Sequence, residues 1–506
     1  MKQRNLPSVS KLAEGLLSHQ TAHCALLYAG LSLVLFSLSC GNGSTVIHTA
    51  PPSGNFTNAS LSGQYAYSLS GSAIISGTAT FVPYSEAGVF TADGAGHITN
   101  GTDDFAQSGR FGSNPFTGTY SLNKDGTGTM TFVFPNGTGS IQLGVTLLNS
   151  SQFYLIETDG FATGGGSAEK QDTSAFLTTP SGTFAFRIHV TSSTVNVGAM
   201  TVTGGTITGS EDVLPLGGSS SSPTLSGTVN APGTNGRGSL TLTNSNGTTA
   251  NFAYYVVNAN ILRLLQTDTG VLALGRAEKQ TSTNFSAASL TGSFAFGSGG
   301  DTLNTVPGSV QSAGVFSSDG NGNVSGGTYD LVRDGNQATN VGLTGSYTIS
   351  VAGRAAVTLN LQNGITIQDV FWMVSPSRGF FLVNDSTKLE DGTLDQQQSS
   401  SFSASSLNGQ FAFVMDGFDA QLVDRVGTLQ TDGKGNLSLN ELLNREGAIS
   451  APGLLPGTYT VSRNGRAVGS VSNLSNNLVF YMISGNSGYV LQNDAGAEIA
   501  GTVGHQ

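Results

Sequence analysis

Four acidic loops hold the residue types best suited to chemistry in this 506-residue chain: Asp93-Gly-Ala-Gly, Asp125-Gly-Thr-Gly, Asp319-Gly-Asn-Gly and Asp432-Gly-Lys-Gly. Carboxylates and glycines at polar spacing suit calcium, but calcium takes about six to eight oxygens, usually from several carboxylates. Each loop offers one Asp and no distal Glu, and the corresponding turn near residue 204 is Gly204-Gly205. Asp-Gly also supplies the positive φ angles of tight hairpin turns, which is the role expected here. Beyond residue 39 the histidines are His48, His97, His189 and His505, at no recurring position, so a triad or metal cluster lacks material. Acidic pairs such as Asp103-Asp104 read as solvated loops. No catalytic, metal or cofactor residue is assigned.

The thiol of Cys40 has a more definite reading. Lys2, Arg4 and Lys11 precede an apolar run over 25–38, and Gly-Asn-Gly-Ser-Thr follows the cysteine. This resembles a bacterial lipoprotein signal, in which cleavage leaves the cysteine as a lipidated N-terminus. Ser39 fits that pattern, whereas Ser37 and Leu38 depart from it. Ser37 and Ser39 also suit an ordinary signal peptidase, so a secreted or periplasmic protein and an uncleaved anchor stay open. The only other cysteine, Cys24, lies inside the signal, leaving no internal disulfide for the mature chain. Without residues 1–39 the chain has 17 basic and 30 acidic side chains, net −13, which argues against nucleic acid as a partner.

The elements carrying these loops repeat four times. A glycine followed by two aromatics on one strand face opens each copy: Gly63, Tyr65, Tyr67; Gly182, Phe184, Phe186; Gly292, Phe294, Phe296; Gly409, Phe411, Phe413. A closing segment ends each at Gln171, Gln280, Gln397 and Gln506. The expected organisation is a signal peptide at 1–39, a tether at 40–55, and repeats at 56–171, 172–280, 281–397 and 398–506. Repeats of this length each bury a core, so independent beads are expected. Within the first copy, period-two alternation and short turns give eight strands in meander order, with Met130, Phe132 and Phe134 on alternate positions of one of them. Such a meander closes into an up-and-down barrel whose edges pair. The alternative is a β-sandwich, which needs long Greek-key crossings. Asp159, Asp268, Asp385 and Asp494 end the seventh strands and start turns. Phe56, Phe176, Phe285 and Phe402, upstream of each opening glycine, either plug a barrel end or make inter-domain contacts.

The Gly-x-aromatic opening of an eight-strand meander resembles the calycin group, the lipocalins and avidins, with Tyr or Phe in place of their Trp. The tandem array behind a lipoprotein-type signal resembles exported repeat proteins of acidobacteria. The first resemblance implies barrels that bind small ligands at an open end; the second implies location and architecture without an activity. Tyr65, Tyr67, Phe132, Phe184, Phe186, Phe294, Phe296, Phe411 and Phe413 therefore either fill solid cores or line cups for an apolar ligand. The leading expectation is a non-enzymatic lipoprotein at the outer membrane or cell surface, an array for binding glycan or protein, adhesion or spacing. A calycin-like carrier is the alternative, and an enzyme on envelope polymers the third reading.

Overall fold

The structure, a computed structural model, describes residues 54–74, 80–107, 109–135, 139–303, 308–472 and 477–506. The expected signal, Cys40, His48 and most of the tether lie outside the described residues. Each repeat is an antiparallel meander closed on itself. In the first, the strands are Ser62–Ile74, Phe81–Asp93, His97–Gln107, Arg110–Leu122, Thr127–Val133, Ser140–Asn149, Gln152–Glu157 and Ala162–Lys170. The first pairs with both the second and the eighth, which removes the exposed edges and excludes the sandwich. In the fourth repeat the strand after Asn436–Arg445 is split into Ala448–Ser450 and Leu454–Val461, both paired to it. Ala451-Pro452-Gly453 makes the break: proline lacks an N–H for the ladder, and Gly453 has φ +82°.

The opening glycines are required by conformation. Gly63, Gly182, Gly292 and Gly409 have φ between +104° and +120°, a region that side chains oppose. Just before them, short 3-10 turns close one barrel end in repeats 1, 3 and 4, pinned by a tyrosine. Tyr120 donates its hydroxyl to the Leu61 carbonyl at 2.7 Å, Tyr347 to Leu290 at 2.8 Å and Tyr459 to Leu407 at 2.7 Å. Phe285 and Phe402 are buried in their own barrels' cores, and Phe56 and Phe176 pack against theirs. These phenylalanines are end plugs.

The repeats are not beads. The first two strands of every repeat pack on the sixth and seventh strands of the next. Ala66, Ala87 and Val89 of repeat 1 meet Ala253, Tyr255 and Leu265 of repeat 2. Val195 and Val197 of repeat 2 meet Trp372 and Phe380 of repeat 3. Ala313 and Val315 of repeat 3 meet Val479 and Tyr481 of repeat 4. Ala412 and Val426 of repeat 4 then meet Tyr154 and Ile156 of repeat 1. A head-to-tail contact that returns to its origin makes a ring, so one chain reproduces what four identical subunits would form by cyclic symmetry. The bead expectation failed because strand alternation identifies an apolar inner face but leaves the outer face's small residues and valines uninterpreted.

Candidate functional site

All nine aromatics considered as ligand-lining lie in barrel interiors and are almost completely buried. Tyr65 stacks on Phe90 at 5.7 Å, and Phe294 on Phe316 at 5.6 Å. The second aromatic of each opening strand stands across from a glycine: Tyr67 from Gly88, Phe186 from Gly198, Phe296 from Gly314 and Phe413 from Gly427. The missing side chain leaves room for the ring. Phe413 borders a small void of about 10 Å³ in repeat 4, which Arg425 and Glu441 also line.

Repeat 2 has a much larger cavity, of about 210 Å³, at the end opposite Phe176. Its walls include Ile188, Leu225, Leu242, Ala250 and Phe252, and its polar residues include Asn196, Glu211, Asn244 and Gln266. Sequence reading missed it because the residues responsible are smaller counterparts of aromatics elsewhere. Gly118 pairs with Phe132 in repeat 1 as Gly227 pairs with Leu242 in repeat 2. By the same register Phe116 becomes Leu225, Phe134 becomes Asn244 and Tyr84 becomes Thr194. In repeat 1, Phe116 and Phe132 pack with ring centres 4.2 Å apart, filling the equivalent space.

The barrels also bury charge. In repeat 1, Tyr67 donates to Asp103 at 2.9 Å and Tyr84 to Glu157, with Glu86 buried beside them. Burial pushes the Asp103 carboxyl up to about 7 and that of Glu157 up to about 8. In repeat 3, Lys388 pairs with Glu390 at 2.6 Å, and the serines 298 and 312 donate to the same carboxylate. The solvated reading of Asp103-Asp104 is therefore incorrect. Both are buried, Asp103 facing inward and Asp104 facing the neighbouring barrel, because strand alternation sends consecutive residues to opposite faces.

Asp104 belongs to a clamp that recurs at three seams. Arg237 and Tyr255 of repeat 2 donate to Asp104 of repeat 1. Arg354 and Trp372 of repeat 3 donate to Asp212 of repeat 2, the indole at 2.8 Å. Arg466 and Tyr481 of repeat 4 donate to Asp330 of repeat 3, the guanidinium at 2.7 and 2.8 Å. The seam from repeat 4 to repeat 1 differs at all three positions: the register places Leu442 where the Asp stands, Thr127 for the Arg and Thr146 for the aromatic. Among the described residues no ion pair crosses it. Instead Thr163 donates to the buried Asp424, and Asn444 donates to the Glu157 and Ala162 carbonyls at 2.7 Å. Burial, reinforced by Asp416, pushes the Asp424 carboxyl far above its ordinary value.

The closing glutamines reach across all four seams. Gln171 donates to the Val256 carbonyl at 2.6 Å, Gln280 to Met373 at 2.7 Å, Gln397 to Met482 at 2.7 Å and Gln506 to Leu147 at 2.5 Å. The three described histidines all have structural partners: His97 Nδ1 lies 2.7 Å from Asp93 Oδ2. His189, at the seam of repeats 2 and 3, lies 2.7 Å from Asp391 and 3.5 Å from Asp301. Burial opposes its charge, but the two carboxylates overcome this and lift its pKa to about 10. The His505 ring packs edge-on to Phe411 at 5.0 Å.

The Asp-Gly loops direct their carboxylates to their own backbones. Asp93 accepts from Ala95 N at 2.7 Å and His97 N at 3.0 Å, which lowers its pKa to about 2. Asp319 and Asp432 bond the same way. The other predicted turn acids sit two residues beyond the seventh strands. Asp159 and Asp385 cap local turns, whereas Asp268 and Asp494 accept from Asn251 and Asn477 at the sixth strands. Among the described residues no group of three His, Cys, Asp or Glu has metal-holding geometry.

No protein-family model matches the chain, and no curated protein matches it significantly. A crystal structure of isotype 1 transferrin binding protein B from serogroup B Neisseria meningitidis overlaps it at 9% identity, across 67% of this chain and 75% of its own. The TM-score is 0.20, and a likeness that loose carries no argument about function.

Proposed function

We propose that the chain is a non-enzymatic cell-envelope protein, lipid-anchored through Cys40, whose four barrels act as one body for surface binding, adhesion or spacing. The observation supporting this reading is the return of the head-to-tail seam from repeat 4 to repeat 1. The residues repeated most faithfully serve barrels, turns and seams, leaving no repeated set for catalysis. A closed body holds its outer faces in fixed relation, so weak contacts with one glycan or protein act together through high effective concentration. The export-type N-terminus and the resemblance to exported acidobacterial repeat proteins support the location.

The anchor is tested by fractionation and mass spectrometry. The wild-type chain should partition with membranes and carry acyl mass on a product beginning at residue 40. Cys40→Ala should move to the soluble fraction with its barrels intact. Unchanged partitioning and mature mass would contradict the anchor.

A further inference from the structure

We infer that the open end of repeat 2 is a binding site for a small amine with an apolar body, whose ammonium group is received by Glu211. The assignment goes beyond the scaffold reading and does not depend on where the protein resides.

Three observations carry it. The cavity, about 210 Å³, exceeds the roughly 150 Å³ of an apolar cavity that admits benzene. It exists because Leu225, Leu242, Asn244 and Thr194 stand where repeat 1 has Phe116, Phe132, Phe134 and Tyr84, and it faces away from the Phe176 plug.

Next, its polar residues present acceptors. Glu211 is 4% exposed; its two oxygens accept from the Asn196 and Asn244 side-chain amides, each at 3.1 Å. Such an arrangement fixes a carboxylate's orientation without supplying a positive charge. The side-chain oxygen Oδ1 of Asn196, a residue that lines the cavity, is buried without a hydrogen-bond partner. A buried acceptor without a donor is costly, and a ligand N–H group relieves it.

Finally, two of the other barrels supply a cation to a buried acid near this position, whereas in repeat 1 the counterpart, Asp103, is neutralised by burial beside Tyr67 and Glu86. Repeat 3 supplies Lys388 to Glu390 at 2.6 Å, and repeat 4 places Arg425 3.9 Å from Glu441, the counterpart of Glu211. The electrostatic neighbour of Glu211 is a second acid, Asp212, itself engaged by Arg354 on the outer face. A cationic ligand therefore supplies in repeat 2 the charge that protein side chains supply in repeats 3 and 4. A ligand carboxylate would meet repulsion, and a hydrocarbon would leave the acceptors unpaired.

The experiment titrates the full chain at neutral pH with benzylamine, using benzyl alcohol and benzoate as neutral and anionic controls, by calorimetry and native mass spectrometry. Expected is saturable binding of one benzylamine per chain, weaker binding of benzyl alcohol and none of benzoate. Glu211→Gln should weaken benzylamine binding at least about tenfold, the loss of a charge-assisted hydrogen bond. Leu242→Phe, which restores the aromatic of repeat 1, should abolish it; Leu225→Phe serves the same purpose if the first variant fails to fold. Absence of saturable benzylamine binding, equal binding of benzoate, or binding that Glu211→Gln and the filling variant both leave intact would overturn the assignment.

Discussion

At the scale of single residues, the most consequential side chains are carboxylates on outer strand faces. Asp104, Asp212 and Asp330 each receive an Arg and an aromatic donor from the next repeat, so their charge is compensated where it is buried. Asp424 has no such cation. Its surroundings are the Thr163 hydroxyl, Asp416 across the strand pair and Glu157 from repeat 1. A carboxyl whose folded pKa lies above its unfolded value is most favourable to folding at low pH, and the seam loses stability as pH rises through the raised value. Asp424→Asn keeps an acceptor for Thr163 and removes the charge. Calorimetry should therefore find the variant's melting temperature rising above that of the wild type between pH 5 and pH 8; a pH-independent difference would refute this. Of these acids only Asp104 drew notice in the sequence, and as part of a solvated loop. Each clamp joins residues 133 to 160 positions apart, and its absence at the fourth seam breaks the repeat that would have exposed it.

At the scale of elements, strands, hairpins and barrel closure were legible because period-two alternation and Asp-Gly turns are local signals. The opening glycines were visible as a repeated residue, but their positive φ came only from the structure. The glycine facing each second aromatic was not legible, since its function depends on cross-strand register. Gly198 shows the constraint: a methyl there would lie 2.6 Å from both Phe186 Cζ and the Ser210 carbonyl oxygen. The carbonyl belongs to a neighbouring strand and cannot swing away as a flexible side chain could. Gly198→Ala should cost about 1–3 kcal/mol as an overpacking substitution, read from the denaturant midpoint; an unshifted midpoint would show that the strand pair yields freely. The cavity of repeat 2 also belongs to this scale. Its walls are the ordinary inner face of a barrel, and only a register-matched comparison with repeat 1 reveals the missing rings.

At the scale of the whole molecule, four barrels form a ring through one contact used four times. Three of its seams join consecutive repeats and carry ionic clamps. The fourth joins the two ends of the array and relies on apolar packing, Asn444, Asp424 and the terminal glutamine. The closing glutamines were visible as a repeated residue, yet their acceptors are backbone carbonyls, which leave no mark in a sequence. Trp372, the chain's single tryptophan, is buried in the seam between repeats 2 and 3 and donates to Asp212. Tyr255 and Tyr481 occupy the matching sites in repeats 2 and 4, and Thr146 in repeat 1.

Ring closure is tested most directly by a pulsed dipolar distance measurement between repeats 1 and 4. Spin labels go on cysteines replacing the exposed Lys124 and Asn408, with Cys24 and Cys40 changed to Ser. Lys124 adjoins Asp125, whose carbonyl accepts from Gln410 at 2.9 Å, so the two labels sit on facing sides of the fourth seam. The ring predicts one short, narrow distance distribution. A long or broad distribution, as tethered beads would give, would contradict it.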